Sequence, residues 1–119
     1  MENNILRFKA AFYPESGNVY SVCMRGARLW DKTKPLKIYT NGTGALIETP
    51  IQVEPNYSAS VVSQQQFRFI DLEEKDWKDN YDKAARGSSR IHLESIMRLT
   101  YDNFHFNEIV TILRFKIES

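Results

Sequence analysis

Ile109-Val110-Thr111-Ile112-Leu113-Arg114-Phe115-Lys116-Ile117 is the stretch whose reading decides the fold class. It is rich in β-branched residues and apolar on both parities until Arg114 and Lys116 interrupt one of them, a pattern that suits a strand inside a sheet better than one at its edge. Its pairing of a basic residue with Phe returns earlier, in Leu6-Arg7-Phe8-Lys9 and in Phe67-Arg68-Phe69. If the three segments were neighbours in one sheet, Phe8, Phe69 and Phe115 would share the core face. Arg7, Lys9, Arg68, Arg114 and Lys116 would then form a basic stripe on the opposite face, with phosphate-rich ligands as its natural client.

Outward from that stretch, strand signals fill the first seventy residues. Leu6, Phe8, Ala10 and Phe12 lie on one parity and Arg7 and Lys9 on the other, which predicts a half-buried strand. Residues 14–18 are turn formers, and residues 19–30 read as a second strand with Tyr20, Val22 and Met24 on one face, so a first hairpin is expected. A polar break at 31–35 precedes residues 36–40 and 45–54, which flank Asn41-Gly42-Thr43-Gly44 and predict a second hairpin. Pro50 lacks an N–H donor and assigns its arm to an edge or a bulge. Residues 57–70 read as one long or broken strand.

The character changes at Asp71. Asp71 and Glu74 fit a capping box, Trp77, Tyr81 and Ala84 or Ala85 follow at helical spacing, and Gly87 stands where a helix-ending glycine belongs. The prediction is a helix over about 72–86 whose apolar stripe is narrow and whose acidic surface faces water or a partner. Residues 88–101 admit two readings. A strand puts Ile91, Leu93, Met97, Leu99 and Tyr101 on one parity but misplaces Ile96. A helix over about 89–101 gathers Leu93, Ile96, Met97, Thr100, Tyr101 and Phe104, with a serine cap and a Glu94–Arg98 surface pair, and is preferred. The expected fold class is therefore α+β: an antiparallel sheet of about five to six strands, one or two helices packed on one face, and a closing strand.

The 119 residues fit a single domain over 1–119, and 42% hydrophobic with 26% charged residues places the chain away from disordered compositions. The lone Cys23 excludes an internal disulfide, and its neighbours Val22 and Met24 suit a buried thiol. No basic segment followed by an apolar run opens the sequence and no window is apolar enough to cross a membrane, so a cytoplasmic location without membrane contact is expected. On that expectation the sequons at Asn41 and Asn56 are coincidental.

Charge is uneven. Residues 1–40 hold seven Lys or Arg against three acidic residues, net +4, whereas residues 71–82 hold six acidic residues against Lys75 and Lys78, net −4. One cysteine and two histidines cannot build a Cys/His zinc site, and neither a metal nor another cofactor is expected. No nucleophile-elbow pattern accompanies His92 or His105, and pairs such as Glu73 with Glu74 or Glu94 with Asp102 need a cleft before they signify acid–base chemistry. No catalytic residues are assigned, and a small hydrolase ranks third among the readings.

The leading expectation is a non-catalytic binding or interaction protein, accessory or inhibitor-like, engaging another protein through Glu73, Asp76, Asp79 and Asp82. The second is a nucleic-acid or nucleotide-binding module using Arg25, Arg28, Trp30, Lys32, Lys34, Lys37 and Tyr39. A pI near 7.8 weighs against a dedicated nucleic-acid domain. Asn41-Gly42-Thr43-Gly44 could cradle phosphate but lacks the lysine and helix of a P-loop, so a hairpin turn is the better reading. An edge arm around Pro50 or a narrow helix stripe favours a homo-oligomer.

Overall fold

Strand β5 (Ile109–Ile117) takes the interior position that its two-sided hydrophobicity demands. In this computed structural model, which describes residues 4–8, 12–40, 55–82, 85–86 and 89–118, Val110 and Ile112 are buried on one face and Leu113, Phe115 and Ile117 on the other. β5 pairs antiparallel with β2 (Val19–Arg25) and with β4 (Tyr57–Arg68). β4 pairs antiparallel with β3 (Leu36–Thr40), which runs parallel to β1 (Ile5–Phe8). The order β1-β3-β4-β5-β2 makes the sheet mixed rather than purely antiparallel.

The expected first hairpin does not form. β2 finds seven register partners on β5, whereas the short β1 offers four residues and spends them on β3. β2 also ends at Arg25 rather than near Trp30, because Gly26 turns the chain with φ +88° and donates its amide to the Ile109 carbonyl. The predicted turn at 41–44, the arm around Pro50, Gly87, Ser88 and Lys9 lie outside the described residues.

The sheet curls. In a flat five-stranded sheet the outer strands stand about 19 Å apart. Here Leu6 and Phe8 of β1 share one core cluster with Val22 and Met24 of β2. The Phe8 ring also stacks at 3.9 Å on Tyr81, from a segment that adds to the outer edge of β2. This first core is the concave interior. A register shift between Val61 and Ser63 helps bend β4 and reverses its parity, so Gln64 and Gln66 occupy the register opposite Leu113 and Thr111.

These glutamines hold a strap, residues 26–31, that closes the interior. Gln64 accepts from the Trp30 amide at 2.7 Å and donates to the Trp30 carbonyl at 2.9 Å, and Gln66 donates to the Arg28 carbonyl at 3.0 Å. Asn4 clamps the far end through both the amide and the carbonyl of Asp31. Trp30 is thereby buried in the first core. Gln64→Ala leaves the buried Trp30 backbone groups unpaired, and a loss of about 1–3 kcal/mol is expected in urea titrations.

The second core lies on the outer face, where α2 (Arg90–Thr100) packs Leu93 and Met97 against Cys23, Val110 and Ile112. The preferred helical reading of this region holds, with the Ser89 hydroxyl accepting from the His92 amide and Glu94 paired to Arg98 at 2.6 Å. The predicted helix over 72–86 is corrected. A 3-10 turn (Phe69–Asp71) leads to α1, which spans only Glu74–Trp77, and its capping box is formed by Glu73 and Asp76 rather than by Asp71 and Glu74. The helix stops because its next backbone groups have a better partner. Ser21 donates its amide to the Asp79 carbonyl and accepts from the Tyr81 amide, joining residues 79–81 to β2.

Phe69 meets Phe104 edge-on in the second core, while Phe8 and Phe115 stay together in the first. The predicted three-Phe stack is thus split by the parity reversal in β4 and the 3-10 turn that follows it. Among the described residues no helix is long and apolar enough to cross a membrane.

Candidate functional site

The curl brings β1 and β2 to opposite sides of a cleft without pairing them. Asn4 passes its carbonyl to Lys37 on β3, so by the two-residue period of a strand Leu6 and Phe8 also point their backbone groups at β3, and Arg7 points away. On β2, Ser21 turns its N–H and C=O toward residues 79–81, and Cys23, two residues on, turns its own toward the cleft. The opening between these edges is a cavity of about 320 Å³, at the small end of the range for organic ligands.

Its walls come from four places in the chain. β1 supplies Leu6, Arg7 and Phe8, and β2 supplies Val22, Cys23 and Met24. The 80–82 turn contributes Tyr81 and Asp82, the strap contributes Arg28, and α2 with its cap contributes Leu93, Ile96, Met97, Thr100 and Tyr101. The lining thus mixes apolar side chains with charged and hydroxyl-bearing ones.

Burial sets the protonation of three lining groups. It pushes the Cys23 thiol up to about 12, helped by the nearby Asp76 charge, so the thiolate needed for nucleophilic chemistry does not form near neutral pH. It also pushes the Tyr81 phenol up to about 12, with a contribution from Asp82. Tyr101 is likewise raised by burial, against the opposing effects of the nearby Arg25 amide and of the Arg28 and Arg25 charges. All three favour the protonated form in the fold. Their contribution to stability is therefore complete below the unfolded values, 9.0 for the thiol and 10.0 for the phenols, and is lost as pH rises through the folded ones, about 12 for Cys23 and for Tyr81. Urea midpoints are expected to fall progressively above pH 9, and Cys23→Ala and Tyr81→Phe should each flatten that fall.

The residues named from sequence are dispersed. Arg25 forms a two-point ion pair with Glu108, at 2.6 and 3.0 Å, and holds that carboxyl below its ordinary range. Lys34 lies 4.0 Å from Asp31, Lys32 is exposed, and Lys37 is half-buried on β3. Tyr39 is buried, with the Arg7 guanidinium 5.7 Å from its ring centre. Arg28 stands over the Trp30 ring at 5.4 Å and, of this basic and aromatic set, is the one that lines the cleft.

The acidic set is divided as well. Asp76 is 3% exposed and accepts from the Glu73 amide. Asp79 pairs with Arg114 at 3.1 Å and accepts from the Ser21 hydroxyl at 2.7 Å, and Glu73 pairs at 3.6 Å with Lys75. Asp82 lines the cleft. The basic stripe expected from the repeated pattern is interrupted too, since Arg68 pairs with Asp71 and Arg114 with Asp79.

Tyr81, expected on a helix face, is a wall residue in a turn instead, while Thr100 and Tyr101, at the end of α2 as expected, also line the cleft. No spacing signal could have grouped them with Leu6 and Val22, because the cleft exists only once the sheet curls. Among the described residues no group of three or more His, Cys, Asp or Glu side chains could hold a metal ion.

Fold and site together define a small α+β domain with a curled mixed sheet and a side cleft between its outer strands. Comparison with known proteins gives no match to a family model, to a curated protein or to a solved structure.

Proposed function

We propose that this chain is a non-catalytic binding domain and that its ligand enters the cleft between β1 and β2. The observation that carries this reading is the cleft itself: a cavity of about 320 Å³ whose lining mixes apolar side chains with the phenols of Tyr81 and Tyr101 and the arginines Arg7 and Arg28. The buried, protonated Cys23 lends no support to a nucleophilic enzyme. The dispersal of Arg25, Lys32, Lys34 and Lys37 weakens the nucleic-acid reading, leaving Arg28 as its contribution to the cleft.

Ile96→Trp places a larger side chain from α2 into the cavity. In a thermal-shift screen of small organic compounds, ligands that stabilise the wild type are expected to leave this variant unmoved. Equal shifts in both proteins, or no stabilising compound at all, would count against the cleft. Engagement of another macromolecule is a second reading, supported by the outward backbone groups of Arg7 and Cys23, which an extended partner segment could use for strand addition. Competition between such a segment and a small cleft ligand would distinguish a shared site from separate ones.

A further inference from the structure

Resting on that cleft reading, we infer that the ligand is an amphipathic anion, with an apolar body between β1, β2 and α2 and a carboxylate or phosphate head bound by the arginines of the lining. The body is specified by Leu6, Phe8, Val22, Ile96 and Met97, which offer carbon surface without hydrogen-bonding capacity. The head is specified by what the remaining lining groups can still give. Arg7 and Arg28 both line the cavity, and among the described residues neither has a carboxylate within ion-pair distance, in contrast to Arg25, Arg68, Arg98 and Arg114. Their described contacts are ring faces, with Arg28 also 3.8 Å from the Met24 sulfur. A guanidinium placed over a ring keeps N–H donors at its rim for a planar or tetrahedral anion.

The phenols agree with this. Tyr101 lines the cavity, and burial keeps its phenol protonated, so its hydroxyl has a proton to offer. Tyr81 is also protonated, and no hydrogen bond to its hydroxyl is made by the described residues. The Thr100 hydroxyl donates to the Ile96 carbonyl, and the Asn80 side-chain oxygen accepts from the Asp82 amide.

The spare capacity is therefore mainly that of donors, which calls for an acceptor-rich head. Asp82 is the acidic group in the lining and offsets one arginine, but it has its own interactions within the protein. The two arginines against this one carboxylate leave a positive balance at the site.

The test uses four probes with the same eight-carbon body: octanoate, octyl phosphate, octanamide and octanol, titrated by calorimetry into wild type, Arg7→Met, Arg28→Met and Ile96→Trp. One or both anions should bind at least about tenfold tighter than the neutral probes, and each arginine variant should remove much of that ratio between anion and neutral probe. Preference for octanoate or for octyl phosphate would identify which head group the site takes. Equal binding of anions and neutral probes, or arginine variants without effect, would overturn the anion inference while leaving the cleft as a ligand site. Failure of every probe to bind, or full binding to Ile96→Trp, would overturn both. Circular dichroism and a cooperative melt for each variant separate lost binding from lost fold.

Discussion

Phe115→Ala is expected to destabilise the domain by about 3–5 kcal/mol, read as a lowered urea midpoint at unchanged cooperativity. The Phe115 side chain is fully buried on the concave face of β5, with its ring centre 6.2 Å from those of Phe8 and Phe12 and 6.3 Å from that of Tyr20. These rings come from three separate parts of the chain, so truncation leaves a void that no one segment can move to fill. Domains of this size are stable by only about 5–15 kcal/mol, and such a loss brings the variant close to unfolding at body temperature. Phe115→Leu keeps most of the volume and should cost clearly less. A loss below about 1 kcal/mol for the alanine variant would contradict the placement of this ring at the centre of the curl.

Asp79→Ala is expected to cost about 2–3 kcal/mol. Asp79 is a junction: one carboxylate oxygen accepts from the fully buried Ser21 hydroxyl at 2.7 Å and the other from Arg114 at 3.1 Å, while its carbonyl accepts from the Ser21 amide. Arg114 and Asp79 side chains are 19% and 28% exposed, so solvent screens their pairing only in part. Removing the carboxylate should loosen residues 79–81 from β2 and, with them, Tyr81 from its stack on Phe8. A double-mutant cycle with Arg114→Met in urea would isolate the coupling. A coupling near zero would contradict the role of this pair in holding the cleft wall.

How much of this was legible in the sequence depended on whether local pattern or distant pairing decided the outcome. β5 was readable because two-sided hydrophobicity leaves an interior strand few alternatives. α2 was readable because a serine cap and helical spacing act within a dozen residues. The hairpin between β1 and β2 was a sound local inference defeated by competition, since β5 offered β2 a longer register. The helix over 72–86 failed similarly, when residues 79–81 found backbone partners on Ser21. Both misreadings fall where distant segments meet, and the same meetings create the cleft. Arg28 was the member of the basic set that reached the site, placed there by a strap whose anchors, Gln64, Gln66 and Asn4, gave no sequence signal of their role.

β1 and β2 flank an open cleft instead of closing into a hairpin. Amide hydrogen exchange, resolved residue by residue by NMR, tests this most directly. Leu6 and Val22, whose amides point into the β1–β3 and β2–β5 ladders, should exchange slowly, while Arg7 and Cys23, facing the cleft, should exchange much faster. Equal protection of Arg7 and Cys23 with their neighbours would mean that the two edges are paired, and would contradict the cleft and the binding function built on it.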